Sequence, residues 1–247
     1  MSSTVSPGKV IWHVAQVSAV REETPTARRI ELDIPTWPGN DAGAHLDVRL
    51  TAPDGYQAAR SYSIASSGAD KRVVIAVDEV PDGEVSPYLV RALEVGDELE
   101  VRGPLGRFFL WVPSDEPNPA PVQLIAGGSG VVPLYAMAAA HDQHNDGSEF
   151  RLLYSVRTSG DVFFREELDA LTHTTVDLNY TRASDDATAP PGRLTQDKLA
   201  ALTLPPESHP RIFVCGPTPF VEAVSGWLVA LGHDPLTIRT ERFGGTA

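Results

Sequence analysis

Val122-Gln123-Leu124-Ile125-Ala126-Gly127-Gly128-Ser129-Gly130-Val131-Val132-Pro133 runs from an apolar strand through a glycine turn into a helix. The strand is apolar almost throughout, as expected when both faces are buried. The glycines let a pyrophosphate approach the backbone closely. Pro133 stands at the helix start, where a missing N–H costs least. Downstream the same alternation recurs. Strands are expected at 150–156, 175–180, 211–215 and 236–239, and helices at 133–141, 163–171, 194–202 and 219–231. This order predicts a parallel sheet with helices on both faces. Its ligands should bind beyond the carboxyl ends of the strands, where the glycine turn and Cys215 both lie.

Upstream, the four prolines between 112 and 121 make a stiff linker. They divide the chain into expected domains at 1–113 and 120–247. Before the linker the texture is that of strands. Segments 10–20, 28–34, 44–50, 72–80 and 98–101 are rich in β-branched residues or alternate in polarity. Pro38-Gly39-Asn40, Pro53-Asp54-Gly55 and Pro81-Asp82-Gly83 are turns between them. With the strand ending at Arg60-Ser61-Tyr62-Ser63, these six suggest an antiparallel barrel. A short helix is expected at 87–93. The fold class is therefore β plus α/β: an N-terminal six-stranded antiparallel barrel followed by a C-terminal parallel α/β nucleotide-binding domain.

At 247 residues the chain suits two ordinary domains, and 42% hydrophobic content suits packed cores. No apolar run approaches the roughly 20 residues that cross a bilayer. The first residues lack a signal-peptide pattern, so a cytoplasmic location is expected. The single cysteine, Cys215, excludes an internal disulfide and a four-cysteine iron–sulfur cluster. A net charge of −13 argues against nonspecific nucleic-acid binding. The histidines show no metal-ligand spacing. His141 and His144 read as a solvated helix end, and no metal is expected.

In their order and distances, Arg60-Ser61-Tyr62-Ser63, the glycine turn, Val214-Cys215-Gly216-Pro217 and Thr240-Glu241-Arg242-Phe243-Gly244 resemble the ferredoxin–NADP reductase superfamily. Asp82-Gly83-Glu84-Val85-Ser86-Pro87-Tyr88-Leu89 matches that family's Gly-x-x-Ser-x-x-Leu pattern. The resemblance covers nearly the whole chain. It implies FAD on the barrel and NADP(H) on the α/β domain. It also implies an electron-transfer oxidoreductase, expected as a monomer. With no cluster on this chain, electrons would go to a separate acceptor, a ferredoxin or an oxygenase component. A flavin or ferric-chelate reductase, or a non-catalytic flavin-binding electron-transfer subunit, is the alternative. The acidic body makes a strongly acidic ferredoxin a less natural partner unless a local basic patch exists, for which Arg28 and Arg29 are one candidate.

The resemblance also implies roles for single residues. Arg60 would pair with a flavin phosphate, as a bidentate guanidinium can. Tyr62 would lie against the isoalloxazine, and Ser63, beside Ser61, would hydrogen-bond near its N5. Val77, Gly83, Val85 and Ser86 would complete the flavin site, with Ser86 as helix cap and phosphate donor at a helix N-terminus. FAD is taken over FMN because most relatives bind FAD. Gly127, Gly128 and Ser129 would meet the nicotinamide nucleotide. Arg157, Thr181 and Arg182, at two strand ends, would take the 2′-phosphate of NADP. Cys215, Gly216 and Pro217 would lie beside the nicotinamide. Ser63, Cys215 and Glu241 would form the catalytic set, fixing geometry rather than attacking covalently. Phe243 stands where plant-type reductases carry a flavin-stacking tyrosine, but here the chain continues through Gly244-Gly245-Thr246-Ala247.

Overall fold

The computed structural model describes residues 11–182 and 191–244. Strands β1 (Trp12–Thr24), β2 (Ala27–Asp33), β3 (His45–Thr51), β4 (Gln57–Ser63), β5 (Arg72–Asp78) and β6 (Glu98–Leu105) form one antiparallel sheet in the order β4-β3-β6-β1-β2-β5. Its two edges meet. Ile64 bridges to Ile75, and the Ala65 N–H donates to the Val74 carbonyl at 2.7 Å, closing the barrel. Alternation does the packing: Val73, Ile75 and Val77 of β5 point inward with Ile30, Leu32, Leu46, Val48 and Val101. Segment 102–105 continues β6. Helix α1 (Ser86–Arg91) packs Leu89 and Val90 into the same core.

The second sheet is parallel throughout, in the order β11-β10-β7-β8-β9. Its strands are β7 (Val122–Gly127), β8 (Phe150–Val156), β9 (Thr174–Tyr180), β10 (Arg211–Pro217) and β11 (Ile238–Phe243). Between them run α2 (Val131–His144), α3 (Arg165–Asp169), α4 (Gln196–Leu202) and α5 (Thr218–Ala230). Successive residues of β7 feed opposite cores. Leu124 and Ala126 pack toward α2, Ile125 toward α5. Among the described residues no helix is long and apolar enough to cross a membrane.

Two elements depart from the sequence expectation in ways that matter. Helix α3 is shorter than 163–171, because Phe163 and Phe164 are buried core residues and Phe164 turns the chain with φ 55°. Strand β11 runs to 243 rather than ending at 239. The Asp234 carboxylate accepts from the Leu236 N–H and starts a tight turn at Pro235–Thr237, which delays the strand. Glu241 and Phe243 therefore sit inside it.

Arg28 and Arg29 do not form an exposed basic patch. Arg28 reaches the Leu93 carbonyl at 3.4 Å. The Arg29 side chain is 8% exposed and lies at the junction of the two domains. Its Nε donates to Glu23 at 2.5 Å and its Nη2 at 2.9 Å, and it also pairs with Glu167 of α3. Its guanidinium lies 4.4 Å from the Phe164 ring centre, and the Phe164 N–H donates to Glu23. Phe164 stacks in turn on Tyr135 of α2 at 4.2 Å. The long β1, kinked between Val17 and Ala19 and again between Glu22 and Thr24, carries Glu23 to this point.

Candidate active site

The carboxyl ends of the parallel strands open onto a cleft of about 330 Å³. Gly127, Gly128, Ser129, Arg157, Thr181, Pro217 and Phe243 line it from the α/β domain, and Thr24, Thr26 and Asp78 from the barrel. The glycines of the turn do different jobs. Gly128 has φ +55°, and nothing lies within 4 Å of where a Cβ would stand, so its backbone is open to the cleft. At Gly127 and Gly216 a Cβ would lie 2.7 and 2.9 Å from Phe220 Cδ1. Those two positions accommodate the Phe220 ring, a cleft residue that sequence reading missed. At Gly130 a Cβ would run into the Cys215 carbonyl, so that glycine lets α2 start hard against β10.

Strand register positions the residues that the sequence suggests as catalytic. Along β10 and β11, Cys215 stands opposite Glu241 and Pro217 opposite Phe243. In the barrel, His45 stands opposite Ser63. His45 Nδ1 is 3.5 Å from Glu241 Oε1, so the barrel and the α/β sheet meet here. His45 was not singled out from the sequence. Its only trace was a polar residue on an alternating strand. Burial raises the Glu241 carboxyl to about 7. Burial, then the nearby Glu241 charge, push the Cys215 thiol well up, so it is no thiolate nucleophile. Burial lowers the His45 pKa, against the pull of Asp47. His45 Nδ1 and Glu241 Oε2 are buried and find no hydrogen-bond partner among the described residues. Buried polar atoms of this kind need a partner, and Glu241 stands two residues before Phe243, which lines the cleft.

The flavin-site expectations divide. Arg60 is half-exposed and pairs with Glu84, which also accepts from the Tyr56 hydroxyl at 2.6 Å. This brings Arg60 to the loop of Gly83. Tyr62 is partly buried, and burial pushes its phenol up. Ser61 donates to Asp47 at 2.6 Å, which also holds Arg102, so its hydroxyl is spent on a barrel carboxylate. Val77 and Val85 are wholly buried core residues, leaving only their backbone to meet a ligand. Ser86 is not the helix cap. The cap position is Val85, and the Ser86 hydroxyl accepts from the Val80 N–H at 3.0 Å, because the loop folds back on itself through Gly83.

At the far end of the cleft, the Arg182 N–H donates to the Arg157 carbonyl at 2.9 Å, joining the two predicted strand ends. Arg157 Nη2 lies 3.7 Å from Asp161, whose other oxygen accepts from Thr158 at 2.6 Å. Asp78 faces them from the barrel, accepting from Thr26 at 2.8 Å, and burial raises its pKa. Neither aspartate was foreseen. Phe243 is 39% exposed beside Pro217. Gly245, Thr246 and Ala247 lie outside the described residues. Among the described residues no cluster of three or more His, Cys, Asp or Glu side chains could hold a metal.

The open Gly128 backbone, the paired arginine-bearing strand ends and the unpartnered His45 and Glu241 atoms fit a flavin and a nicotinamide nucleotide meeting in this cleft. Residues 15–110 match the family model "Oxidoreductase FAD-binding domain", and 124–226 match "Oxidoreductase NAD-binding domain". The chain is 30% identical over 245 residues to a component of the 1,2-phenylacetyl-CoA epoxidase of Escherichia coli, spanning 94% of this chain and 68% of that protein. It is 35% identical over 218 residues to the glycine betaine monooxygenase reductase subunit of Chromohalobacter salexigens. That match spans 85% of this chain but only 56% of the relative. Likewise it spans 58% of the toluate 1,2-dioxygenase electron transfer component of Pseudomonas putida. The FAD/NAD-binding domain of nitric oxide dioxygenase from Vibrio cholerae superposes with a TM-score of 0.82 at 25% identity, over 94% of this chain and 99% of that one. With the two domain types in the order the motifs implied, the chain belongs to the ferredoxin–NADP reductase superfamily.

Proposed function

We propose that this chain is a reductase that takes hydride from NADPH onto FAD and passes single electrons to a separate acceptor protein. The observation that carries this reading is the meeting of His45 and Glu241 across the two domains, with Ser63 and Cys215 beside them in register, two residues from the Pro217 and Phe243 that line the nucleotide cleft. The relatives named as reductase or electron-transfer components of oxygenases support it. The domain boundary belongs between 113 and 120, and the protein acts as a cytoplasmic monomer.

When bound, the flavin and the nicotinamide supply the hydride and one-electron chemistry. The chain supplies position and field. Arg60 and the Gly83 loop hold flavin phosphate, with Tyr62 and Ser63 along the ring. The Gly128 and Ser129 backbone meets the nucleotide's pyrophosphate, and Arg157, Thr181 and Arg182 take its 2′-phosphate. Cys215, uncharged, and Glu241 orient the nicotinamide. Neutral His45 and Ser63 back them from the barrel. Phe243 and Pro217 cover the site and exclude water.

Two measurements bear on this. Anaerobic stopped-flow mixing with NADPH should bleach the oxidised-flavin band faster than mixing with NADH. Arg157→Ala and Arg182→Ala should each lower kcat/KM for NADPH by about tenfold or more, leaving NADH nearly unchanged. Equal losses for both nucleotides would move the 2′-phosphate site elsewhere. A protein that stays colourless with added FAD, or is bleached by neither nucleotide, overturns the whole reading. Separately, Arg60→Ala should weaken FAD binding by about 10- to 100-fold in a fluorescence titration, the worth of a charged hydrogen bond. An unchanged affinity would leave Arg60 only its ion pair with Glu84.

A further inference from the structure

Asp78 belongs to the barrel, yet it lines the nucleotide cleft with Arg157, Asp161 and Thr181 of the other domain. It is the last residue of β5 and pairs in register with Ala27, the first of β2. The Thr26 hydroxyl donates to it at 2.8 Å, and the next N–H along, that of Glu79, donates to the Thr26 carbonyl at 2.9 Å. The carboxylate is thus fixed against the turn between β1 and β2. Asp161 approaches from the α/β domain. One of its oxygens accepts from the Thr158 hydroxyl at 2.6 Å, and the other lies 3.7 Å from Arg157 Nη2. Burial raises the Asp78 pKa, the Thr26 hydrogen bond and the Arg157 charge pull it down, and the Asp161 charge pushes it up. The three charged groups therefore act on one another across the domain boundary.

The buried domain junction holds this arrangement in place. Glu23 adjoins Thr24, which lines the cleft as Thr26 does. Glu23 accepts from the Phe164 N–H and binds Arg29, which also pairs with Glu167. Phe164 in turn follows Phe163, another residue of the cleft. The turn that carries Thr26 and the segment that carries Asp161 are therefore tied together close to both. The barrel carboxylate is held where Arg157 meets a nucleotide. A ribose 2′-hydroxyl brings no charge to that place, whereas a phosphate monoester brings nearly two negative charges. A fixed carboxylate there opposes the phosphate and is nearly indifferent to the hydroxyl.

We propose that Asp78 is a specificity-determining residue supplied by the flavin barrel, whose carboxylate, with that of Asp161, limits how strongly the Arg157 end of the cleft prefers a 2′-phosphorylated nucleotide. The proposal rests on the reading above in which Arg157 takes the 2′-phosphate. It makes the choice between NADPH and NADH a property of both domains. The arginines supply the attraction, and the barrel sets its ceiling. For unit charges about 8 Å apart at an effective dielectric constant of about 40, Coulomb's law gives about a fivefold change in affinity.

The test is calorimetric titration of the full FAD-loaded chain with 2′,5′-ADP and with 5′-AMP, two nucleotides that differ in the 2′-phosphate and carry no nicotinamide. It is run at about pH 8, where a carboxyl with a modestly raised pKa is ionised. Asp78→Asn keeps an acceptor for the Thr26 hydroxyl and removes the charge. It should bind 2′,5′-ADP about fivefold more tightly than wild type and 5′-AMP within about twofold. The ratio of kcat/KM for NADPH to that for NADH should rise by the same factor. Should Asp78→Asn fail to fold, Asp161→Asn should shift both ratios in the same direction. Unchanged or weaker 2′,5′-ADP binding in the folded variant, or an equal gain for both nucleotides, overturns the proposal. Wild-type protein that binds 2′,5′-ADP no better than 5′-AMP would instead overturn the 2′-phosphate reading, and the shift in the variant would still decide the role of Asp78.

Discussion

Replacing Arg29 with leucine should cost about 3–5 kcal/mol of stability, the loss expected when one partner of a buried ion pair is removed. The Glu23 side chain is 4% exposed and would be left with the Phe164 N–H as its remaining neighbour of opposite polarity. The cost should not be spread evenly. Arg29 binds Glu23 on its own barrel and Glu167 on the other domain, so its loss also loosens their junction. Urea unfolding followed by tyrosine and tryptophan fluorescence measures the change. Replacing Arg29 and Glu23 together by apolar residues should cost less than Arg29→Leu alone, because no uncompensated charge remains. An Arg29→Leu variant within about 0.5 kcal/mol of wild type would mean that water reaches Glu23 at no penalty.

Removing the Glu241 side chain should slow flavin reduction by NADPH about 100-fold, the scale of a lost positioning group at a hydride-transfer site. Glu241→Ala tests this by stopped flow under saturating NADPH. The titration gives a second signature. Burial alone holds this carboxyl near 7, so the rate should inflect near neutrality. Glu241→Gln, fixed in the uncharged shape, should show a flat profile there. An inflection surviving in Glu241→Gln would assign it to another group, His45 first. Stability moves with the same proton. The folded-state pKa is raised, so the protein binds this proton more tightly when folded. The contribution of this group to stability should therefore be fully present below the ordinary carboxylate range and be lost as pH rises through about 7. The unfolding midpoint of Glu241→Gln should lack that share of the decline.

The sequence made local period and turn chemistry legible, and these were enough for both sheets. The β7–glycine–α2 passage could be read directly, because an apolar run, glycines and a proline each act on the residues beside them. Contacts made across strands could not be read. His45 and Glu241 lie far apart in the chain and meet only through the fold that joins the barrel to β11. Strand β11 itself was cut short because it is a polar edge strand, with Arg239, Thr240 and Glu241 giving no apolar run to follow. Ser86 had the sequence position of a cap, and only the fold-back to Val80 redirected it. Arg28 and Arg29 looked like a surface pair, since a neighbouring basic doublet carries no sign of the acids that a distant element will bring.

The Phe220 ring lies over the places where Gly127 and Gly216 lack a side chain. These three positions therefore form one heritable unit. Alanine at 127 or 216 is tolerable only in a lineage whose residue 220 has already become small, and a small residue at 220 removes the steric reason for keeping both glycines. Across related proteins the three sites should co-vary, and the motif most readily taken as a nucleotide signature should be written partly by an aromatic ring on α5, far along the chain.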